Sequence, residues 1–373
     1  MIYLDSAATS LQKPRSVSQA MMNAMKTAAS TGRSAHEYAM RASEIVFNCR
    51  CAIAEMFSVP EPDNVVFTMN ATHGLNIAIN SLVKEGTRVL VSGYEHNSVM
   101  RPLYARNADI RIARSKLFDR ADTLRSFSEN IEWAEVVICN HVSNVFGFIL
   151  PVGEIAAMCR ANGTPLIIDA SQSAGTLPLD FSSLGASFIA FPGHKGLMGP
   201  QGTGVVLCEE AGRTYMQGGT GSESISPYMP EYLPDRLEAG TLNVTGIAGL
   251  LESVRYIKRT GLGRIASHEK RMTDILASLL SGYTDLEVFK NKDGLCQAGV
   301  LSVVAKGRDC ADCASFLSER GIAVRSGLHC APEAHRSAGP LETGTVRFSM
   351  SPFTTEADVR TAAASLGTYI KSL

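Results

Sequence analysis

The sequence lacks an excess of either charge. Its 373 residues include 35 Lys and Arg against 36 Asp and Glu, a formal net charge of −1 at pH 7. This balance argues against proteins that bind nucleic acid or a membrane surface through a basic face. No apolar run is long enough to span a bilayer, and the first nine residues lack the basic and apolar segments of a secretory signal. We therefore expect a cytoplasmic protein.

The sequence also lacks the spacing of a disulfide framework. Its nine cysteines are an odd number scattered along a long chain, which is typical of reduced thiols. Cys49 with Cys51, and Cys310 with Cys313, lie in segments with a helical pattern. Neither pair has a second pair or a nearby His to complete a tetrahedral set. We expect these thiols to be buried or incidental, and we expect no metal site.

The alternation of predicted elements indicates an α/β fold. With 45% apolar residues, the chain can form two domains or one large α/β unit. Over the first 210 or so residues, strands alternate with helices, the pattern of a mostly parallel sheet covered on both faces. The main strands are predicted at 88–92, 110–113, 136–140, 165–169, 188–191 and 204–208.

The order of elements changes after residue 245. Residues 212–240 are rich in Gly, Ser and Pro, so we expect a long loop there. Beyond the loop we expect a smaller α+β region with strands at 286–289, 299–304, 323–326 and 345–349. We place a large domain at 14–245 and a small C-terminal domain at 246–373, with the N-terminal arm 1–13 belonging to the small domain.

A stretch around Lys195 is the first candidate for chemistry. An apolar strand stops at Pro192-Gly193, and His194 and Lys195 then enter a glycine-rich loop. This pattern presents one lysine at the rim of a sheet. A partly desolvated lysine can lose its proton near neutral pH and act as an amine nucleophile. Taken alone, the stretch also fits an ordinary surface lysine.

Three further elements point to a cofactor. Asp169 ends a predicted strand, and a carboxylate facing a pyridine nitrogen makes the ring an electron sink. Thr72 lies at the start of a helix, where free N–H groups suit a phosphate. His96 opens another helix, where its ring could stack on a cofactor.

Each of these residues also has a structural alternative. Asp169 or Thr72 could simply cap a helix, and His96 could be a surface or core histidine. Together with Lys195 they occupy strand-to-helix turns of one sheet, where α/β proteins bind ligands. Their combination predicts a site for pyridoxal 5'-phosphate.

These residues carry a family resemblance. Asp169-Ala-Ser-Gln172 with Gly193-His-Lys195 resembles the class V aminotransferase family of fold type I pyridoxal-phosphate enzymes. The similarity runs nearly end to end and is strongest to SUF-type (group II) cysteine desulfurases, with selenocysteine lyases close by. It implies a large, mostly parallel seven-stranded sheet domain and a smaller α+β domain. Further motifs that carry it lie at 3–8, 95–96, 141–144, 238–243 and 325–332.

The resemblance implies roles around the cofactor ring. Lys195 would form the Schiff base and move protons, and Asp169 would pair with the pyridine nitrogen. His96 would stack on the ring, while Gln172 and Asn144 would bond its oxygen side.

The resemblance also implies a phosphate site. The Ala71 backbone, Thr72 and His194 would hold the phosphate. Thr241 would arrive from the partner subunit of a homodimer.

Substrate and sulfur would be handled by residues of the smaller domain. Arg347 would clamp the substrate carboxylate bidentately, with His36 and Arg325 nearby. Cys330, in a glycine-flanked polar loop, would attack the substrate sulfur as a thiolate and carry the persulfide. Arg325, His329 and the loop backbone would stabilise the thiolate. A free structural thiol is the alternative for Cys330.

The expected reaction converts L-cysteine to L-alanine and passes sulfur through Cys330 to an acceptor protein, as in iron–sulfur cluster assembly. The alternatives are a selenocysteine lyase, a class V enzyme that does not use Cys330, and a cofactor-free binding protein on the same fold. Three departures from the SUF-type pattern are Leu328 for a usual His, Pro192 for a common Ser, and Asn70-Ala71 for Gly-Thr. The phosphate site would therefore depend more on backbone groups, Thr72 and His194, and the change at Leu328 leaves substrate preference open.

Overall fold

The computed structural model describes residues 1–32 and 35–372. The first part of the chain contains one strand of the N-terminal arm, the strands of the large sheet and the helices around that sheet. In chain order they are β1 (Ile2–Tyr3), α1 (Arg15–Thr27), α2 (Glu37–Phe57), β2 (Val65–Thr68), α3 (Ala71–Leu82), β3 (Arg88–Ser92), α4 (Asn97–Ala105), β4 (Asp109–Ala113), α5 (Arg120–Ser128), β5 (Val136–Asn140), α6 (Val152–Asn162), β6 (Leu166–Asp169), α7 (Phe181–Leu184), β7 (Phe188–Pro192) and β8 (Gly204–Leu207).

A long irregular segment follows β8, as predicted, and leads into the second group of elements. These are α8 (Val244–Thr260), α9 (Leu262–Leu280), β9 (Leu286–Phe289), β10 (Val300–Ala305), α10 (Cys310–Glu319), β11 (Ile322–Ala323), β12 (Arg325–Gly327), α11 (Pro332–Ala338), β13 (Thr345–Ser349) and α12 (Glu356–Lys371).

Seven strands form the large sheet in the order β2-β8-β7-β6-β5-β3-β4. All neighbouring pairs are parallel except the two that involve β8. Strands β5, β6 and β7 are buried at every residue. Strands of a parallel sheet are covered on both faces, so they form continuous apolar runs that are recognisable in the sequence. The predicted α/β class with a mostly parallel seven-stranded sheet is confirmed.

Two apolar layers cover the large sheet. Apolar residues of α3 and α4 form one core with one face of the strands. Residues of α2, α6 and α8 form the other core with the opposite face. Helix α8 also packs against α1 and α2. The predicted boundary at residue 245 falls in the first turn of α8, and the division into two domains stays a prediction.

A four-stranded antiparallel sheet, β12-β13-β10-β9, forms the second group, with its own core shared with α9, α10 and α12. The N-terminal arm joins this group, because Ile2 pairs with Ile322 and Asp5 forms a bridge with Ser349. The predicted single strand at 323–326 is wrong in detail. It is two short strands, since β11 pairs with β1 whereas β12 pairs with β13.

Two features of the described residues bear on the predicted absences. Within 1–32 and 35–372, no helix is both long enough and apolar enough to cross a bilayer. The same part of the chain contains no cluster of three or more His, Cys, Asp or Glu residues placed to hold a metal ion. All nine cysteines are free thiols, and Cys49 and Cys313 are buried in helices.

Candidate active site

A cavity of about 310 Å³ opens where the parallel strands of the large sheet end, and parts of the small sheet and the N-terminal arm close it. Ligands in open α/β sheets bind at this edge because loops after several strands converge there. The predicted residues that line the cavity are Ala71, Thr72, His96, Asn144, Asp169, Gln172, His194, Lys195, Arg325 and Arg347.

The loop that presents Lys195 is tightly held. Gly193, directly after β7, donates its N–H to the Thr203 carbonyl over 2.8 Å, and Met198 donates to the Lys195 carbonyl over 2.8 Å. A Cβ atom on Gly193 would lie 2.1 Å from the Thr203 hydroxyl oxygen, so the two strands can approach only because this residue is glycine. The glycine-rich sequence therefore fixes where the Lys195 side chain starts.

The surroundings of Lys195 favour its neutral amine. The pKa of Lys195 is lowered to about 8, mainly by burial and in smaller part by the positive charges of Arg347 and Arg325, while the Asp169 carboxylate opposes the shift. A lysine with this pKa holds an unprotonated amine in a substantial fraction of molecules near neutral pH. The side chain can therefore act as a nucleophile and as a proton carrier.

Asp169 ends β6 and is 5% exposed. Its Oδ1 accepts the N–H of Ser171 over 2.9 Å. This bond fixes the carboxylate at the cavity wall and leaves Oδ2 for a ligand.

A hydrogen-bonded chain links His96, Ser98 and Thr72. The His96 Nδ1 accepts the Ser98 N–H over 3.0 Å and lies 2.7 Å from the Ser98 hydroxyl oxygen, which in turn lies 3.0 Å from the Thr72 hydroxyl oxygen. Burial and the charge of Lys195 lower the pKa of His96 to about 4. The ring is therefore neutral at pH 7, and because Nδ1 is an acceptor its proton is on Nε2.

The start of α3 presents donors to the same cavity. Asn70 caps this twelve-residue helix by accepting the His73 N–H over 2.9 Å. Among residues 1–32 and 35–372, the N–H groups of Ala71 and Thr72 have no intramolecular acceptor. Unpaired N–H groups at a helix N-terminus are a favourable site for an anion. Although Asn70-Ala71 replaces the Gly-Thr of the SUF-type pattern, α3 is therefore still capped and still presents N–H groups that can bind an anion.

Asn144 connects the cavity to the Cys330 loop. Its side-chain Nδ2 donates to the backbone carbonyl of His329 over 2.8 Å. Its backbone carbonyl accepts from Arg347 Nη1 over 3.0 Å. Its buried Oδ1 has no partner within the described residues. Gln172, half-buried beside the cavity, donates to the Ala7 carbonyl over 3.0 Å.

Arg347 is a buried cation, with 1% of its surface exposed. Its Nη2 donates to Asp5 Oδ1 over 2.6 Å, and this ion pair joins β13 to the N-terminal arm. The charge on an otherwise buried guanidinium requires such a partner. The arm therefore orients Arg347 at the cavity wall.

Cys330 is exposed at the edge of this site. Its Sγ lies 3.8 Å from Arg325 Nη2, and Arg325 also lines the cavity. His329 directly precedes Cys330 in the chain. Its ring is buried and bonded to Thr345, and burial together with the charge of Arg347 lowers its pKa to about 2. A neutral His329 adds no positive charge beside the thiol, and its role in stabilising the thiolate stays a prediction.

Comparison with known proteins decides the family. The family model described as aminotransferase class-V matches residues 2–361.

The chain belongs to the class V aminotransferase family.

Similar proteins and solved structures support the same family. A probable cysteine desulfurase of Methanothermobacter thermautotrophicus is 34% identical over 378 residues, covering 98% of this chain and 94% of that protein. The apo structure of a cysteine desulfurase from Thermococcus onnurineus NA1 has a TM-score of 0.92 and 31% identity, covering 100% of this chain and 95% of the other. The Escherichia coli cysteine desulfurase CsdA, in its S-sulfonic acid form, has a TM-score of 0.88 and 25% identity, with coverage of 100% and 95%.

Two residues predicted for the site, Thr241 and His36, do not line the cavity around Lys195. Thr241 is exposed and lines a separate pocket of about 290 Å³ with His73 and Leu237. His36 caps α2 by accepting the Ala39 N–H over 3.2 Å. Residues 33 and 34, shortly before His36, lie outside the described residues. The roles predicted for Thr241 and His36 stay predictions.

The structure also adds residues that the sequence reasoning missed. Asp5 forms an ion pair with Arg347. The Ser98 hydroxyl connects His96 to Thr72. The Thr9 hydroxyl oxygen lies 3.1 Å from His194 Nδ1. Asp5 and Thr9 belong to or adjoin the 3–8 motif, so that motif could have indicated them. Nothing in the sequence around Ser98 indicates its bridging position.

Proposed function

We propose that this chain is a pyridoxal-phosphate-dependent cysteine desulfurase that converts L-cysteine to L-alanine and holds the sulfur on Cys330 as a persulfide. One observation carries the proposal. Arg325 contacts the Cys330 thiol at 3.8 Å and also lines the cavity that contains Lys195 and Asp169. A thiol thus lies beside a residue of the cavity that contains a lysine and a carboxylate suited to this cofactor. The names of the similar proteins, all cysteine desulfurases, support the same activity.

The residues of the cavity fit pyridoxal 5'-phosphate. The N–H groups of Ala71 and Thr72 at the start of α3, which have no acceptor within the described part of the chain, suit its phosphate, with His194 in the same cavity. Asp169 suits its ring nitrogen. The buried Oδ1 of Asn144 has no partner among the described residues and would gain one from the side of the cofactor ring that carries its oxygen atom. When bound, the cofactor would take up the electron pair left at Cα after proton removal.

The side chains of this chain would divide the remaining tasks. Lys195, with its lowered pKa, would take the proton from the substrate Cα and return a proton to the product. Arg347, fixed by Asp5, would bind the substrate carboxylate with its planar donors. Neutral His96 would pack against the ring.

Cys330 would perform the sulfur transfer. Its thiolate attacks the substrate sulfur, an S–S bond forms, and the Cβ–S bond breaks, leaving its electron pair on the three-carbon fragment. Protonation of that fragment gives alanine. The overall balance is L-cysteine plus the Cys330 thiol giving L-alanine plus the Cys330 persulfide, with no external oxidant. Arg325 would favour the thiolate through its positive charge.

The wider setting follows from the same proposal. The persulfide would pass to a sulfur-acceptor protein in the cytoplasm, for iron–sulfur cluster assembly or other sulfur metabolism. The protein would act as a homodimer, in which Thr241, exposed and outside its own cavity, would reach the phosphate of the neighbouring subunit.

A paired assay tests the proposal. Cofactor-loaded wild type, Cys330→Ala and the matched control Cys310→Ala, which removes another partly exposed thiol, are each incubated with L-cysteine and L-selenocysteine. We expect alanine from cysteine with wild type and Cys310→Ala but not with Cys330→Ala. Full cysteine turnover by Cys330→Ala would disprove the role of Cys330. Loss of cysteine turnover with retained selenocysteine turnover would show that selenium release does not need this thiol.

A further inference from the structure

Helix α11, which begins two residues after Cys330, docks on the large sheet. The Ser337 hydroxyl donates to the Gly93 carbonyl over 2.7 Å, directly after β3. A Cβ atom on Gly93 would lie 2.7 Å from the Ser337 hydroxyl oxygen and 3.2 Å from the Arg114 Cα, so only glycine allows this approach. The helix therefore rests on the sheet edge from which His96 also projects.

A buried carboxylate strengthens this contact. Glu333, in the first turn of α11, is 7% exposed, and its Oε2 accepts from Arg114 Nη2 over 2.9 Å. Its Oε1 accepts from Arg336, one turn later in the same helix. Of these two pairs, the one with Arg114 bridges two parts of the fold, because Arg114 directly follows β4 on the large sheet. The pair with Arg336 stays within the helix.

The loop before α11 has a backbone that depends on outside support. His329 and Cys330 have φ values of 51° and 57°, a left-handed conformation that is unfavourable for both residue types. Their carbonyls are held by contacts from the large sheet, since Asn144 Nδ2 donates to His329 and the Asn97 N–H donates to Cys330, each over 2.8 Å. Asn97 directly follows His96. The position of the Cys330 thiol is thus set by groups of the large sheet, which border the proposed cofactor site.

We propose that the Arg114–Glu333 ion pair is a positioning contact that keeps α11 docked and so holds the Cys330 thiol within reach of the substrate sulfur. The inference rests on the proposed role of Cys330. Neither Arg114 nor Glu333 lines the cavity, so their effect passes through the loop. Loss of the pair would slow the sulfur-transfer step and would leave the proton chemistry at Lys195 intact.

The test separates these two steps in the cofactor-loaded enzyme. Sulfur transfer is measured as persulfide formed on Cys330 in a single turnover with L-cysteine. Proton chemistry is measured as exchange of the Cα hydrogen of L-alanine in deuterated water, which needs Lys195 but no thiol. The variants are Arg114→Gln and Glu333→Gln, with Arg336→Gln as the matched control and Arg114→Lys as the conservative variant.

We expect persulfide formation to slow about tenfold in Arg114→Gln and Glu333→Gln, with alanine exchange and the KM for cysteine within about twofold of wild type. Arg336→Gln should behave as wild type, and Arg114→Lys should recover most of the rate. Amide hydrogen exchange in residues 328–338 should accelerate in the two slow variants. This last readout does not depend on turnover.

Two results would overturn the inference. One is persulfide formation at the wild-type rate in both glutamine variants. The other is an equal loss of persulfide formation and alanine exchange, which would indicate a general structural role. Failure of the proposed function has a different signature, because Cys330→Ala would then still form alanine from cysteine at the wild-type rate.

Discussion

The Arg347 guanidinium and the Asp5 carboxylate form an ion pair of 2.6 Å between residues 342 positions apart in the chain. Arg347 is 1% exposed and the Asp5 side chain is 19% exposed. The N-terminal arm is therefore part of the site, because it supplies the counter-charge of the cation proposed to bind the substrate carboxylate.

Asp5→Asn should destabilise the fold markedly. Removing one partner leaves the other charge buried and uncompensated, so we expect the free energy of unfolding to fall by about 3 kcal/mol. Denaturant unfolding measures this loss. The control is Glu356→Gln, which breaks the exposed pair with Arg360 and should cost less than about 0.5 kcal/mol. Equal effects of the two substitutions would contradict the structural importance of the Asp5 contact.

Arg347→Lys should weaken substrate binding while it keeps the charge. A lysine ammonium cannot present the planar pair of donors that matches a carboxylate, so we expect the KM for cysteine to rise about tenfold, with a smaller change in kcat. Steady-state kinetics measure both constants, and Arg360→Lys on the exposed face of α12 is the control. An unchanged KM would place the substrate carboxylate away from Arg347.

The capture of pyridoxal 5'-phosphate by the cofactor-free protein should depend on pH through Lys195. Only the neutral amine attacks an aldehyde, and a pKa lowered to about 8 means that the rate rises with pH and is half-maximal near pH 8. Arg325 lowers this pKa, so Arg325→Gln should move the midpoint to higher pH. Rapid-mixing absorbance measurements give the profile. A midpoint near the ordinary lysine value of 10.5 would show that the amine is not desolvated.

Gly193→Ala should disrupt the loop that presents Lys195. The added Cβ would lie 2.1 Å from the Thr203 hydroxyl oxygen, so we expect the affinity for pyridoxal 5'-phosphate to fall by at least about tenfold, as expected when a lysine is displaced from its productive position. Spectroscopic titration measures this affinity.

Gly153→Ala is the matched control for the Gly193 substitution. A Cβ atom on Gly153, in the first turn of α6, meets no atom within 4 Å among the described residues. Alanine there should leave cofactor binding unchanged and stabilise the fold by up to about 1 kcal/mol through helix propensity. Equal affinities of the two alanine variants would contradict the tight packing at Gly193.

The parts of the site that the sequence predicts are those carried by buried parallel strands. Such strands are continuous apolar runs, so the turns that follow them can be located and their polar residues, Asp169 and Lys195, assigned to one edge. The family resemblance added Cys330, Arg325 and Arg347. The comparisons confirm the family and the fold, whereas the individual residue roles stay predictions.

The parts that the sequence does not predict depend on partners far away in the chain. Strands β1 and β11 have two residues each and exist because they pair with each other, so neither has a local pattern. The pairing of Asp5 with Arg347 and the docking of Glu333 on Arg114 depend on the tertiary fold in the same way. The burial of His329 against Thr345, which lowers its pKa, is likewise a tertiary feature that the sequence does not predict.

The central claim is that sulfur leaves the substrate for Cys330. Its most direct test is a single turnover of the cofactor-loaded enzyme with L-cysteine that contains a heavy sulfur isotope, followed by alkylation and peptide mass analysis. The account predicts one heavy sulfur atom on the peptide that contains Cys330, in proportion to the alanine formed. Alanine formed without label on Cys330, or with the label on another of the nine cysteines, would contradict it.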